Sequence, residues 1–295
     1  MMPWTDRAGK LSPLKLAVFV GTLIPAFLLA YYAVAGFPKG AVTSSLLGPR
    51  PFNAAILHTG DWTIRFLMLS LAVTPLRRIG QWPKLILVRR MLGVAALSYA
   101  LGHLTLYFFD MNWDLWRVAS EIALRIYLTI GFVALLGLVA LGSTSTDAAI
   151  RRLGRNWNRL HKIVYGIAIL AAVHFFMQSK ADVYQPTLIA GFFVLLMAYR
   201  LAHWRGLSLN SPLVLVGIAL GAALATAVVE VAWYGLATGV PPMRVLSANL
   251  QFSYSIRPAW WVLATGLAVA LLGYVRQPGR AEPQRGRRAA AKAAA

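Results

Sequence analysis

The sequence predicts an all-α integral membrane protein. Of its 295 residues, 59% are hydrophobic and only 13% are charged, a balance too apolar for an ordinary soluble domain. The apolar residues are collected in runs long enough to cross about 30 Å of hydrocarbon as helices. We predict eight spans, the fifth and sixth of them short, near residues 16–36, 58–76, 91–109, 122–141, 161–178, 187–203, 212–235 and 259–275.

The first two spans contain polar features that a helix bundle accommodates. Span one carries Pro25, and neighbouring helices can satisfy the backbone groups that a proline frees. Span two is predicted to begin at His58 and to end near Arg77. Asp61 and Arg65 are four residues apart on this span, so we expect them to form an ion pair on one helix face.

Spans three and five each begin with a basic cluster and carry a histidine further along. On span three, Tyr99, His103 and Tyr107 recur every four residues and share one helix face. Span five carries His161 and His174. Between spans three and four, an outer loop brings Glu121 within reach of Arg117 or Arg125, while a polar inner loop from 143 to 158 separates spans four and five.

The last part of the chain differs in composition. Residues 206–211 are small and polar, and the seventh span that follows is rich in Gly and Ala. No histidine lies beyond His203. The tail 276–295, rich in Pro, Arg and Ala, is predicted to be a disordered basic end near anionic lipid. We therefore divide the chain into segments 1–205, 206–275 and 276–295.

The distribution of charge predicts the orientation in the membrane. The net charge of +20 comes from 29 Lys and Arg residues against nine Asp and Glu residues. Most of the basic residues fall on one side if both termini are cytoplasmic, which fits the positive-inside rule and requires no nucleic-acid partner. The ten Trp residues lie near span ends, as an aromatic belt does. Because the chain has no cysteine, thiol chemistry is excluded and a redox role requires a bound cofactor.

His103 and His174 are candidates for the two axial ligands of one haem. Each lies 12 or 13 residues past a basic cluster, which corresponds to about 18–20 Å along a helix. The two imidazoles are therefore level if both helices leave the same membrane face. A lone intramembrane histidine often has a hydrogen-bonded structural role, but two at matched depth favour bis-histidine ligation.

His161 is a separate candidate. It lies about 140° around an undistorted helix from His174, unless a π-bulge changes the phase. It could hold a second, incompletely ligated haem near the inner face, or have an interfacial structural or cofactor-contact role. His58 and His203 are placed at helix ends, where a solvated histidine is the simpler interpretation.

Two sets of arginines are candidates for binding anionic groups. Arg65 and Arg125 lie near the outer boundary, where they either extend toward lipid headgroups or pair with haem propionates. On the inner side, Arg77, Arg78, Arg89 and Arg90 are candidate contacts for an acidic donor. The positive-inside rule explains these four equally well. Only Glu230 lies well within a span, which counts against a proton-coupled transporter.

Several motifs taken together resemble the MsrQ (formerly YedZ) family, the haem-binding membrane subunits of bacterial methionine sulfoxide reductase systems, within the ferric-reductase-like transmembrane group. The resemblance covers about residues 10–205. It rests on Thr59-Gly60 with Thr74-Pro75-Leu76-Arg77; Arg89-Arg90-Met91-Leu92-Gly93 with Tyr99, His103 and Tyr107; Arg125 with Tyr127-Leu128-Thr129; and Trp157-Asn158-Arg159-Leu160-His161 with Tyr165 and His174.

The resemblance implies a six-helix haem bundle in residues 1–205, followed here by two extra transmembrane helices. It implies haem b, quinol or reduced flavin as electron source, an association with FMN, and a bacterial inner-membrane location. With a flavin implied, its phosphate becomes a further candidate ligand of Arg77, Arg78, Arg89 and Arg90. The implied partners are a periplasmic molybdopterin-dependent methionine sulfoxide reductase and either the membrane quinone pool or a cytosolic flavin reductase. Unlike NADPH oxidases, the chain has one histidine on span three and no Gly-x-Gly-x-x-Gly motif.

The sequence therefore predicts a membrane electron-transfer subunit without catalytic residues of its own. One alternative keeps the haem and passes electrons to ferric iron or oxygen. Another is an eight-helix permease or scaffold with structural histidines, which the absence of a carboxylate relay through the core and of a detectable internal repeat disfavours. The haem number, the donor, the role of the last two helices and the oligomeric state stay open at this point.

Overall fold

The described part of the protein is helical. The computed structural model describes residues 4–5, 9–35, 47–179, 182–253 and 255–276, and these ranges contain no β-strand apart from an isolated bridge between Thr5 and Leu11. The predicted tail 276–295 lies outside the described residues except for Arg276, and residues 36–46, which follow the first span, also lie outside them. The predicted all-α class is confirmed.

Twelve α-helices form the described structure. They are α1 (Pro13–Ala35), α2 (Pro51–Ile79), α3 (Arg89–Asp110), α4 (Leu115–Leu124), α5 (Ile126–Ser143), α6 (Asp147–Leu153), α7 (Arg155–Leu160), α8 (Val164–Gln178), α9 (Tyr184–Trp204), α10 (Pro212–Trp233), α11 (Pro242–Asn249) and α12 (Pro258–Arg276). Short 3₁₀ turns at Pro83–Val88 and His161–Ile163 lead into α3 and α8, and a π-helical turn at Tyr234–Thr238 follows α10.

Seven helical segments within the described ranges are long and apolar enough to cross a membrane. They contain α1, α3, α5, α8, α9, α10 and α12. The remaining long helix, α2, has 29 residues but carries Asp61, Arg65 and two arginines in its last turn. Its packing against several other helices places it inside the bundle. The integral-membrane class is thus confirmed, whereas the count of eight spans stays a prediction.

Several predicted boundaries were wrong. α2 begins at Pro51 and not at His58, because proline at the first position of a helix has a backbone angle already suited to it. His58 therefore lies two turns inside the helix, not at a solvated end. The predicted loops also contain short helices, α4, α6, α7 and α11. They escaped prediction because a search for long apolar runs does not detect helices of ten residues or fewer.

Two helix pairs form the centre of the bundle. α2 packs along α3 more extensively than any other described pair, and α5 packs along α8 in the same way. In each pair the two long helices are antiparallel, so the chain crosses the bundle along one helix and returns along the other. α9 packs on α2 and α8, while α10 and α12 pack on each other and on α9. The space between the two central pairs is where the candidate site lies.

The N-terminal helix is held at its proline. Since Pro25 interrupts the backbone ladder of α1, the Tyr99 hydroxyl from α3 inserts there: it accepts from the Ala26 N–H at 2.9 Å and donates to the Thr22 carbonyl at 2.8 Å. Nε2 of His58 donates to the Pro25 carbonyl at 3.1 Å. Two neighbouring helices thus satisfy backbone groups that would otherwise be costly in lipid.

A buried polar cluster joins the three last helices. Glu230 of α10 has no exposed surface and forms an ion pair with Arg257, which precedes α12. The side-chain amide of Asn249 on α11 donates to the same carboxylate at 2.9 Å, and the Trp260 indole N–H donates to the Asn249 carbonyl at 2.7 Å. The pairing compensates a charge that burial alone would make costly.

Candidate cofactor site

A large cavity separates the two central helix pairs. About 1310 Å³ of space that no atom fills lies within it and its mouth, part of which is open to the outside. Its walls come mainly from α2, α3, α5 and α8, with Ile122 of α4. Most of the lining side chains are apolar, with Ile64, Ala100, Ala134, Leu135 and Ala171 among them, but Asp61 and Thr63 of α2 also line the cavity. Polar side chains lie toward the end that the predicted orientation places outside. The cavity is thus an elongated, mainly apolar site with one polar end.

His103 and His174 face each other across this cavity. His103 comes from α3 and His174 from α8, and both line the cavity. Their ring centroids are 6.3 Å apart, and the ring planes are nearly perpendicular at 87°. The level depth that the sequence predicts for these two residues therefore corresponds to a direct juxtaposition in the structure.

Hydrogen bonds fix which imidazole nitrogens are free to act. Nδ1 of His103 lies 2.8 Å from the Ile56 carbonyl on α2, and Nδ1 of His174 lies 2.7 Å from the Tyr127 carbonyl on α5. Because a carbonyl oxygen only accepts hydrogen bonds, Nδ1 carries the proton in each ring. The neutral tautomer then leaves the lone pair on Nε2, which is the nitrogen available to a metal.

The spacing of the two rings fits a haem. An iron about 2 Å from each Nε2 would place the two imidazole centroids about 6 Å apart, close to the separation seen here. The apolar walls match a porphyrin face, and the polar end suits carboxylates at its edge. The residues present are therefore compatible with bis-histidine ligation of one haem in this cavity.

The polar end of the cavity contains groups that the sequence reading did not assign to the site. Asn53, Tyr107, Tyr127 and Gln178 line it, each from the outer end of a different wall helix. The Tyr127 ring also stacks against His174, with centroids 6.3 Å apart. These side chains supply hydrogen-bond donors where the carboxylates of a bound haem would face outward, and Asp110 of α3 adds a carboxylate of its own to the lining there.

Neither predicted propionate arginine lines the cavity. Arg65 pairs with Asp61 at 3.4 Å, as predicted, and its guanidinium lies over the Trp62 ring. Arg125 pairs with Glu121 at 2.5 Å. The sequence placed both Arg117 and Arg125 within reach of Glu121, and the ion pair forms with Arg125. Arg125 nevertheless reaches the site indirectly, since its Nη1 lies 3.3 Å from the Tyr127 hydroxyl. Its contacts with Tyr127 and Glu121 raise the pKa of the guanidinium, which stays cationic.

His161 lies apart from the histidine pair and does not line the cavity. It begins a 3₁₀ turn, so the helix phase changes here through a tightened turn and not through the π-bulge considered from the sequence. Nδ1 lies 3.1 Å from the Trp157 carbonyl, and the ring stacks on Trp157 with centroids 3.8 Å apart. Nε2 is buried and has no hydrogen-bond partner within 3.5 Å among the described residues, although the Leu141 backbone lies close to the ring.

The four inner arginines lie at one end of the α2–α3 pair. Arg77 and Arg78 are in the last turn of α2, and Arg89 and Arg90 are the first residues of α3. Arg90 forms an ion pair with Asp147 of α6. Arg200 of α9 lies nearby, although the sequence did not identify it as a candidate. Its guanidinium donates to the Leu71 carbonyl and lies over the Tyr165 ring.

Comparison with known proteins gives a family for this architecture. The model for the family "Ferric reductase like transmembrane component" matches residues 59–172, from α2 to the last part of α8. A relative from Xanthomonas campestris pv. campestris (strain 8004) is 41% identical over 195 residues, which cover 66% of this chain and 87% of the relative. It is named protein-methionine-sulfoxide reductase heme-binding subunit MsrQ. The chain belongs to the MsrQ family.

Other MsrQ proteins are similar to the chain at 34% to 40% identity. One from Herminiimonas arsenicoxydans is 34% identical over 218 residues, covering 72% of this chain and 96% of the relative. One from Xanthomonas oryzae pv. oryzae (strain MAFF 311018) is 40% identical over 191 residues, covering 63% and 87%. No solved structure matches the chain. Membership of the MsrQ family, which the sequence motifs predicted, is confirmed, and with it a membrane redox role.

Proposed function

We propose that this chain carries electrons across the bacterial inner membrane through a b-type haem held by His103 and His174. The observation that carries the proposal is the perpendicular pair of imidazoles, 6.3 Å apart, in an apolar cavity. Names of relatives at 34% to 41% identity, which describe heme-binding subunits, support it independently. The chain acts as an electron-transfer subunit, and the catalytic centre for the final reduction belongs to a partner.

The residues of the cavity have distinct tasks in this proposal. His103 and His174 offer Nε2 as axial ligands, while their Nδ1–H groups stay bound to backbone carbonyls. The apolar walls exclude water, which lowers the local polarity and helps to set the potential. When bound, the haem iron supplies the reversible one-electron chemistry that the side chains lack.

The propionates belong at the outer polar end. Tyr107, Tyr127 and Gln178 would hold them by hydrogen bonds, and Arg125 would contribute its positive charge through Tyr127. Arg65 is not part of the cavity lining, and it pairs with Asp61, which is. We retain it only as a contributor of long-range positive charge.

The electron donor is quinol from the membrane or a reduced flavin on the inner side. We propose Arg77, Arg78 and Arg89 as contacts for an FMN phosphate or for an acidic donor protein. Arg90 belongs to the same group, although its ion pair with Asp147 must open before it can bind a ligand. A guanidinium suits phosphate because its N–H groups form paired hydrogen bonds.

The acceptor is a periplasmic molybdopterin-dependent methionine sulfoxide reductase. Oxidation of one quinol releases two electrons and two protons, and reduction of one sulfoxide to methionine consumes two electrons and two protons and forms one water. A one-electron site therefore transfers two electrons in succession for each sulfoxide repaired. Repair of oxidised methionine in exported proteins is the resulting activity.

We also propose His161 as a ligand of a second haem, which the haem count per polypeptide tests. Its buried, unpartnered Nε2 and the neighbouring Arg89 guanidinium support a ligand there. The described residues place no second histidine opposite it. Two haems per polypeptide, falling to one in the His161→Ala variant, would establish this site; one haem in both proteins would remove it.

Reconstituted electron transfer tests the proposed function. The purified protein in vesicles is reduced by a quinol, and its re-oxidation is followed on adding the periplasmic reductase with methionine sulfoxide. We expect re-oxidation that requires both additions and that is absent in His103→Ala. A wild-type protein that holds haem but never transfers electrons to the reductase would contradict the proposed acceptor.

A second candidate acceptor follows from the family model, whose description names ferric reductases. The same vesicles can be given ferric chelate or oxygen in place of the reductase. Faster re-oxidation by ferric chelate than by the reductase would favour this function. Both functions use the same histidine pair, so only the acceptor separates them.

A further inference from the structure

We propose that Gly60 and Gly131 are positioning residues for the two axial histidines. Each glycine uncovers the backbone carbonyl that holds the Nδ1–H of one histidine, and so directs Nε2 into the cavity. The inference rests on the proposed haem function and deepens it.

The contacts at the two histidines correspond in position, although the Ile56 carbonyl also accepts from the Thr59 hydroxyl at 3.0 Å. His103 donates to the carbonyl of Ile56, and Gly60 follows that carbonyl by four residues on α2. His174 donates to the carbonyl of Tyr127, and Gly131 follows it by four residues on α5. A Cβ added at Gly60 would lie 3.1 Å from His103 Nδ1, and one added at Gly131 would lie 2.7 Å from His174 Nδ1.

Helix geometry explains why glycine stands at these positions. In an α-helix, the Cα–Cβ bond tilts toward the N-terminus, so a side chain covers the turn before its own residue. The carbonyl four residues earlier lies in that turn and already accepts the helical N–H bond. At these two positions the imidazole approaches so closely that a Cβ on the covering residue would lie against its Nδ1, so the missing side chain makes room for the ring. Glycine provides that opening.

The arrangement occurs twice with the same spacing. Each histidine follows its carbonyl by 47 residues, and a leucine precedes each glycine by three, at Leu57 and Leu128. One half of the site is the α2–α3 pair and the other is the α5–α8 pair. Sequence comparison within the chain did not reveal this repeat, because it consists of only a few positions on otherwise unlike apolar helices.

The hydrogen bonds have consequences for a bound metal. A donor bond from Nδ1 fixes the tautomer and the ring orientation and raises the basicity of Nε2. A more basic ligand stabilises the oxidised iron, so it lowers the midpoint potential. Gly60 and Gly131 would therefore influence both haem retention and potential without touching the iron.

Alanine substitutions test this inference in the full-length protein. Gly131→Ala forces the closer contact, so the His174 ring or its helix must shift; Gly60→Ala needs a displacement of only a few tenths of an ångström. Loss of such supporting contacts typically lowers metal affinity by about 10–100-fold. We expect Gly131→Ala to lose most of its haem, and Gly60→Ala to keep haem with a raised midpoint potential.

Two other glycines provide matched controls. Gly102, next to His103 on α3, and Gly166, on α8, would meet nothing within 4 Å if given a Cβ. Alanine is favoured over glycine in a helix interior by about 1 kcal/mol, so Gly102→Ala and Gly166→Ala should fold and keep the wild-type haem content and potential.

The outcomes separate this inference from the function on which it rests. If the wild type binds haem, and if Gly60→Ala and Gly131→Ala both keep the wild-type haem content and midpoint potential, the positioning role is overturned but the proposed function is not. Absence of haem from the wild type would overturn the proposed function. If Gly131→Ala does not fold, the potential of Gly60→Ala decides the question, since a purely structural glycine would leave that potential unchanged.

Discussion

The imidazole planes of His103 and His174 are nearly perpendicular, at 87°, with ring centroids 6.3 Å apart. Each ring is held in its plane by a hydrogen bond to a carbonyl on a different helix. The relative orientation is thus set by the packing of two helix pairs and does not depend on the metal. This relationship predicts a spectroscopic property.

Perpendicular axial imidazoles should give an oxidised haem with a large maximum g value in electron paramagnetic resonance. Each imidazole interacts with the iron d orbital that matches its own plane. Parallel rings both interact with the same d orbital and so separate it in energy from its partner. Perpendicular rings interact with one orbital each, so the two orbitals stay close in energy. The orbital contribution to the magnetic moment then stays large, which gives the large g value. The low-temperature spectrum of the oxidised protein measures this. A rhombic spectrum typical of parallel imidazoles would contradict the ring geometry.

The Tyr127 hydroxyl should contribute to haem retention at the polar end of the cavity. Tyr127→Phe keeps the backbone carbonyl that binds His174 and the stacked ring, but removes the hydroxyl beside Arg125. A hydrogen bond to a charged group contributes about 1.5–3 kcal/mol, so haem should leave this variant at least several-fold faster. Transfer of haem to an excess of apomyoglobin measures the rate.

Tyr184→Phe is the control for that experiment. Its hydroxyl donates to the Ile256 carbonyl, away from the cavity, and its loss should not change haem release. Equal release rates for wild type and Tyr127→Phe would show that the propionates are held elsewhere.

The ion pair of Glu230 and Arg257 should be important for the stability of the last three helices. Glu230→Gln leaves Arg257, whose side chain is only 21% exposed, without its carboxylate. Removing one partner of a buried pair costs about 3–5 kcal/mol. We expect a markedly lower melting temperature for the purified protein in detergent.

Asp147→Asn is the matched control, because it breaks an ion pair that is exposed on both sides. Exposed pairs contribute about 0–1 kcal/mol, so this variant should melt close to the wild type. Equal melting temperatures for Glu230→Gln and Asp147→Asn would contradict the stabilising role of the buried cluster.

The Tyr99 hydroxyl should fasten α1 to the bundle. Tyr99→Phe removes both hydrogen bonds at the break beside Pro25. Single side-chain hydrogen bonds within membranes contribute about 0.6 kcal/mol on average, so a small but measurable loss of stability is expected. Tyr274→Phe, at an exposed position of α12, serves as the control in the same melting assay, and an equal effect of the two changes would show that the Tyr99 bonds are not stabilising.

The long helices and the histidine pair could be predicted from the sequence because both depend on simple distances along a chain. Hydropathy locates apolar runs of membrane length, and a helical rise gives the depth of His103 and His174. The short helix α4 could not be predicted in this way, because a hydropathy search for membrane-length runs does not detect a helix of ten residues. The inward position of His58 depends on Pro51, whose role as the first helical residue was missed.

The finer features of the site depend on packing between helices that are distant in sequence. Nothing local to Gly60 indicates that its missing side chain faces His103. The placement of Tyr127 on the cavity wall, with Arg125 behind it, follows from the extended residue between α4 and α5. An arginine near a span end is easy to identify in a sequence, whereas the atom that it contacts is not.

Quantification of haem per polypeptide, with simultaneous release of any flavin, tests the central claim most directly. We predict a reducible b-type haem in the purified wild type, its loss in both His103→Ala and His174→Ala, and its retention in His203→Ala, whose side chain is exposed at the end of α9. Full haem content in both His103→Ala and His174→Ala would contradict the account.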